Sequence, residues 1–293
     1  MNISKQLDLA IKFAETKTTV GEYVSGNAKY NTYMTNTEWE TFKNGMLPSA
    51  LVEYGAGGGG ELEEKNGRPP KMACYGSSSR MIYMLSRQIE EFHYEKKLST
   101  SVGGTANLDG FFEDDVRYVF VEAKCHEPYS TKRNLVSSSY QKLYDFINVQ
   151  MTGSLEISMK TRKSERYMEV EYFSDGEKLE HFDIKQMICH LLGVATGVLK
   201  GEFSKKQIDF IYLLYDPTEL VLELDIKNSI NDIYERTCYE CNIIDYAKLL
   251  RVIFTFLNEE KYGKVISNED IDDIINKFTF TLASQDFYPI LFE

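Results

Sequence analysis

Apolar and polar positions divide the chain at a glycine-rich break that begins at residue 55. Ahead of it, Leu7, Ile11 and Ala14 recur at helical spacing, and Glu38 to Phe42 begins a second short apolar-periodic piece. Residues 1 to about 50 therefore read as helical. The break runs Gly55-Ala56-Gly57-Gly58-Gly59-Gly60 and then Gly67-Arg68-Pro69-Pro70. It lacks the Gly-Lys-Ser/Thr ending of a nucleotide-binding loop, so a linker or lid is the better reading. Ser77 to Ser79 then supply a cap for a helix to about Phe92, with Ile82, Leu85, Ile89 and Phe92 on one face.

The period next changes to two. Tyr94 to Val102, Thr105 to Phe112 and Tyr118 to Cys125 read as consecutive strands, the last two joined through the turn Glu113-Asp114-Asp115. A helix is expected near Tyr140 to Val149, then strand-like runs at Ser154 to Met159 and Tyr167 to Phe173. Phe182 to Leu199 reads as a helix and Ile208 to Tyr215 as a buried strand closed by Asp216-Pro217. Ile226 to Leu257 and Asn268 to Phe278 read as helical. The order predicts an α/β protein with a central mixed sheet flanked by helices. Its expected parts are an N-terminal helical extension with the glycine-rich loop (1–76), a core (77–217) and a C-terminal helical region packed on it (218–293).

Composition narrows the classes. With 43% hydrophobic residues the chain is too apolar for disorder, and no stretch approaches the roughly 20 apolar residues of a membrane span. Lys5, Asp8 and Lys12 interrupt the N-terminus, so no signal peptide is read and the expected location is cytoplasmic. In that reducing compartment Cys238-x-x-Cys241, which lacks a second ligand pair, reads as two buried helical thiols rather than a zinc site. The net charge of −12 argues against coating nucleic acid by bulk electrostatics. Yet Lys124 to Arg166 carries eight basic and four acidic residues, whereas Glu202 to the end carries nine and eighteen. A basic groove on an acidic body and solvated loops of mixed charge both satisfy that distribution.

The chemistry concentrates in Val119-Phe120-Val121-Glu122-Ala123-Lys124. Alternation along a strand puts Glu122 and Lys124 on one face, and Val119, Val121 and Ala123 on the other, which a helix would cover. Folding about Asp114 to Val116 brings Asp109 opposite Glu122 on the same face. Two carboxylates that close repel unless a cation lies between them. Asp109, Glu122 and the Ala123 carbonyl are hard oxygen donors suited to Mg²⁺, with Mn²⁺ as a substitute. Lys124 beside them would orient or help deprotonate a water and steady negative charge. The competing reading is an internal salt bridge on an exposed sheet face, which these three residues leave open.

Asp109, followed after twelve residues by Glu122-Ala123-Lys124, resembles the PD-(D/E)XK signature of the restriction-endonuclease-like superfamily, with Leu108 where the signature has Pro. The order helix, three strands, helix, strand from about Ser77 to Asp216 is similar to its common core. The run Glu122 to Tyr129 also resembles a bacterial subgroup of that superfamily. The resemblance implies a restriction-endonuclease-like fold and a Mg²⁺-dependent endonuclease acting on double-stranded DNA in restriction or defence. It also implies a homodimer for cutting both strands. It implies a further acid, Glu95 in preference to Glu91, and a polar pair on the following helix, Gln186 and His190. The alternative class is a non-catalytic binding module on the same fold, with the acidic tail around Asp270, Asp272 and Asp273 as its surface.

Overall fold

A computed structural model describes residues 3–57, 60–130, 134–161, 167–203, 207–221 and 227–285. Helix α1 (Ile3–Thr16) leads to a small hairpin, β1 (Tyr23–Ser25) and β2 (Ala28–Tyr30), then to α2 (Asn36–Asn44), α3 (Pro48–Gly57) and α4 (Ser78–Ser86). Strands β3 (His93–Ser99), β4 (Thr105–Glu113) and β5 (Arg117–Lys124) follow. An insertion comprises β6 (Leu135–Ser137), α5 (Gln141–Gln150), β7 (Glu156–Thr161), β8 (Tyr167–Ser174) and β9 (Glu177–Leu179). The chain then forms α6 (Ile184–Leu199), β10 (Gln207–Tyr215), α7 (Thr218–Val221), α8 (Lys227–Asn242), α9 (Tyr246–Glu259), α10 (Asn268–Asn276) and β11 (Phe278–Gln285).

The central sheet has five strands in the order β11-β10-β5-β4-β3. β10 runs parallel to both β5 and β11, while β3, β4 and β5 are antiparallel. The near-continuous apolar run Phe210 to Tyr215 suits a strand covered on both faces. One face packs Leu98, Leu108, Phe120 and Phe210 against Leu191 and Val194 of α6, Tyr144 of α5 and Ile253 of α9. The other packs Val119, Val121, Ala123 and Leu213 against Leu7 and Ile11 of α1, Trp39, Tyr54, and Met81 and Ile82 of α4. The insertion forms its own antiparallel sheet, β6-β8-β7 with β9 on β8. It is tied to α5 through the hydroxyls of Tyr144 and Tyr172 at 3.0 Å.

The coarse reading, α/β with a mixed sheet between helices, matches this architecture; several details differ. Helix α4 stops at Ser86 rather than near Phe92, because Phe92 turns into the core to pack on Tyr94 at 4.9 Å. β3 stops at Ser99, where the Thr100 hydroxyl donates to the Gly103 carbonyl and closes a turn. Gly55 to Gly57 end helix α3 instead of forming a linker, and Gly58 and Gly59 lie outside the described residues. Residues 23–30 form a hairpin where helix was expected. After α10 the chain does not remain helical: Phe278, Phe280 and Leu282 alternate with Thr279 and Thr281, and β11 joins the central sheet. Among the described residues no helix is long and apolar enough to cross a membrane.

Gly110 is fixed by packing. A Cβ there would lie 2.3 Å from Cζ of the Phe92 ring. Gly110→Ala is expected to cost about 1–3 kcal/mol through overpacking, read as a lower urea midpoint. An unchanged midpoint would mean that Phe92 moves aside freely.

Candidate active site

Glu122 and Lys124 share the face of β5 that carries Phe120, which is the face covered by α6. Glu122 is 1% and Lys124 5% exposed. The internal salt bridge weighed above is present between Lys124 and Glu122, but it lies buried rather than on an exposed sheet face. Burying two charges is costly unless their hydrogen-bonding groups are satisfied, and α6 supplies one partner, Gln186. Asp183 caps the helix by accepting the Gln186 N–H at 3.1 Å. Gln186 Oε1 then accepts from Lys124 Nζ at 2.8 Å, and Lys124 Nζ also donates to Glu122 Oε1. Burial works against charge on Lys124, but the adjacent Glu122 overrides it and raises its pKa well above the ordinary value.

One turn on, His190 Nε2 lies 3.0 Å from the Asn107 carbonyl. A carbonyl only accepts, so Nε2 carries the hydrogen and Nδ1 presents a lone pair. Burial and the Lys124 charge lower the His190 pKa to about 3, so the ring is neutral. Its Nδ1 lies 3.6 Å from Glu122 Oε2. Among the described residues both atoms are buried without a hydrogen-bond partner. Two acceptors facing each other at that distance favour a proton or a cation nearby.

Asp109 reaches this centre by an irregularity. Tyr94 pairs with Gly110 and Lys96 with Leu108, so Glu95 falls opposite Asp109. Gly110 pairs with Val121, the last printed step before Asp109 and Glu122 on the two strands. Strict alternation fails here: Leu108 and Phe111 both face α6, whereas Gly110 abuts Phe92 on the other side. The paired register ends at Gly110 and Val121, and carried one step further it sets Asp109 opposite Glu122, as expected from the sequence. Asp109 Oδ2 accepts the Ala123 N–H at 2.8 Å, a side chain standing in for a ladder bond between β4 and β5. β3 slips at the matching position: Tyr94 and Leu98 face opposite sides, and Glu95 between them has φ +56°. A non-glycine residue held there costs on the order of 1 kcal/mol or more, a strain often found at functional sites.

Glu95 is half-buried against the end of α3, where a Cβ on Gly57 would lie 2.4 Å from its Oε2. Burial, with Glu61 and Asp109 nearby, pushes its carboxyl up to about 7 against the pull of Lys71 and Lys97. Burial and Glu122 raise Asp109 well above the usual carboxylate range. Burial also raises Glu122, against the pull of Lys124. Glu91 lies elsewhere, exposed on a turn at φ +55°, so of the two candidate acids Glu95 is the one beside Asp109.

These shifts fix a pH dependence. A carboxyl raised on folding binds its proton more tightly in the folded chain, so its contribution to stability is present below its unfolded value and lost as pH rises through the folded one. For Glu95 that window runs from 4.5 to about 7, and Asp109 and Glu122 act in the same direction. The metal-free melting temperature is expected to fall between pH 5 and pH 8, with Mg²⁺ restoring more at pH 8. A flat profile with no Mg²⁺ response would remove the carboxylates as a cation site.

Mg²⁺ fits this arrangement in one respect that is directly visible: Glu122 Oε2 is a buried carboxyl oxygen without a hydrogen-bond partner among the described residues. Among the described residues the acids do not close into a three-ligand group within 4.8 Å, but Mg²⁺ keeps several waters and takes one or two carboxylates. Other expectations sort differently. Cys238 and Cys241 lie on α8 as read, but only Cys241 is buried, its Sγ 3.3 Å from the Tyr246 hydroxyl, while Cys238 is half-buried. Asp270 caps α10 through Ser267, and Asp272 pairs with Arg251, which are helix-stabilising roles. Of the basic run, Lys142 and Lys160 are paired with Glu260 and Glu171, while Lys132, Arg133, Arg162, Lys163 and Arg166 lie outside the described residues.

One contact comes from the C-terminal region. The fully buried Glu240 of α8 accepts the backbone N–H groups of Glu180, His181 and Phe182, at 2.8 Å from the last two. It anchors the segment that leads into α6.

Comparisons with protein-family models, with curated proteins and with solved structures give no match to this chain.

Proposed function

We propose that the chain is a Mg²⁺-dependent nuclease of the PD-(D/E)XK type, an endonuclease on double-stranded DNA. The observation that carries this reading is the buried Glu122, which shares Lys124 with Gln186 and leaves one oxygen unpartnered beside Asp109. The succession α4, β3, β4, β5, α6, β10 also accords with the restriction-endonuclease-like core.

Asp109 and Glu122 would hold the metal, with the Ala123 carbonyl as a further oxygen. Bound there, Mg²⁺ supplies Lewis-acid polarisation of a phosphoryl oxygen and lowers the pKa of water. Lys124, kept charged by Glu122, donates hydrogen bonds rather than accepting a proton. Its Nζ, fixed by Gln186, can orient a water and stabilise negative charge growing on phosphate. Glu95, near neutrality in its titration, is suited to accept a proton at its carboxylate oxygens. His190 holds α6 to β4 through Asn107 and keeps the floor of the site uncharged.

The test is incubation of supercoiled plasmid, linear duplex, single-stranded DNA and RNA with the full chain and Mg²⁺ or Mn²⁺. Nicking or linearisation of duplex that EDTA and Asp109→Asn both abolish is the expected result. Cleavage confined to RNA or single strands would move the substrate class. Folded protein that leaves all four intact would overturn the nuclease reading in favour of a binding module.

A further inference from the structure

On the side of the sheet covered by α1 and α4, three residues far apart in sequence converge past the end of β5. They are Asp8 of α1, Cys74 ahead of α4, and His126 two residues beyond Lys124. His126 Nδ1 lies 2.8 Å from Asp8 Oδ1, and Cys74 Sγ lies 3.7 Å from Asp8 Oδ2. All three donor atoms fall within 4.8 Å of one another. Tetrahedral zinc with bonds of about 2.0 to 2.3 Å needs donors on the order of 3.3 to 3.7 Å apart. Cys74 Sγ reaches that spacing at Asp8 Oδ2, while His126 Nδ1 lies against Oδ1, so the two donors flank the two oxygens of one carboxylate. The His126–Asp8 spacing is that of a hydrogen bond and opens by about half an ångström when a metal replaces the shared hydrogen.

The surroundings are built for the approach of these groups. A Cβ on Gly76 would lie 1.9 Å from Asp8 Oδ1 and 3.0 Å from His126 Nδ1, so any other residue would push the donors apart. Asp8 and Cys74 are 7% and 4% exposed, which removes competing water from two donors. The His126 side chain is 31% exposed, which leaves solvent access for a fourth ligand. One thiolate, one imidazole and one carboxylate are a zinc donor set, softer than the oxygen ligands of Mg²⁺.

We propose that Asp8, Cys74 and His126 bind one zinc ion, with water as the fourth ligand, and pin α1 and the segment before α4 to the end of β5. On binding, the Cys74 thiol proton and the hydrogen between His126 and Asp8 pass to solvent, and no redox change occurs. The site stands independently of the nuclease reading, because it uses none of Asp109, Glu122 and Lys124.

The experiment is metal analysis of the chelator-treated full chain after dialysis against Zn²⁺, paired with Co²⁺ absorption spectra. About one zinc per chain is expected in wild type and in Asp109→Asn, falling to roughly a tenth in Cys74→Ser and His126→Gln. A thiolate-to-cobalt charge-transfer band is expected in wild type and not in Cys74→Ser. Should the variants fail to fold, alkylation of wild-type Cys74 followed by mass spectrometry decides, with zinc expected to slow it at least about tenfold. The proposal is overturned by wild type that takes up no zinc, by full zinc retention in folded Cys74→Ser and His126→Gln, or by Cys74 alkylation at the same rate with and without zinc.

Discussion

Glu122→Gln is expected to lower Mg²⁺-dependent cleavage by at least about a thousandfold, equivalent to some 4 kcal/mol of transition-state stabilisation, while the chain stays folded. The substitution is nearly isosteric. The introduced amide oxygen still accepts from Lys124, and its NH₂ faces the His190 Nδ1 lone pair that Glu122 leaves unsatisfied at 3.6 Å. Packing and hydrogen bonding therefore survive, and what disappears is the anionic oxygen offered to a cation. Single-turnover cleavage measured beside a thermal melt separates the two effects. Cleavage within about tenfold of wild type would show that Glu122 holds no metal that the reaction needs.

Lys124→Met should act first on stability. Removing one partner of a buried pair leaves the other charge uncompensated, at a cost of about 3–5 kcal/mol. Glu122 would then lie at 1% exposure with no cation beside it. Its carboxyl rises further and protonates, so the loss is fullest at pH 8 and smaller at pH 5. Combining Lys124→Met with Glu122→Gln removes both charges and should recover much of the loss, a non-additivity within the 0.5–3 kcal/mol range for residues in contact. Urea midpoints for the four proteins at both pH values give the coupling directly. If Lys124→Met matches wild type at pH 8, the pair contributes nothing to the core.

Much of the centre was legible because strand periodicity is local. Alternation in Val119 to Lys124 was enough to put Glu122 and Lys124 together, and helical spacing placed Gln186 and His190 on one face. Both now meet that pair, Gln186 at Lys124 and His190 at Glu122. What alternation could not show is the slip at Glu95 and Asp109, which coincides with Phe92 packing over Gly110, a tertiary contact. β11 was obscured by the acidic helical pattern that precedes it, although its own residues alternate. Asp8, Cys74 and His126 come from three separate segments, and no local spacing unites them. Of the insertion sheet only β7 and β8 were read as strands, since β6 and β9 are three residues long and leave no period to see.

The grip of Glu240 on the backbone ahead of α6 bears on how a smaller working unit is to be excised. A fragment ending at residue 217 holds every side chain of the carboxylate centre, yet it discards the carboxylate that anchors the approach to α6. Three backbone donors would lose their acceptor, and the helix that positions Gln186 over Lys124 would be held at its start by Asp183 without that anchor. The same cut strips β11 and uncovers the parallel edge of β10. The useful boundary therefore lies beyond residue 285, and the segment after 217 behaves as scaffold for the centre rather than as an appendage to it.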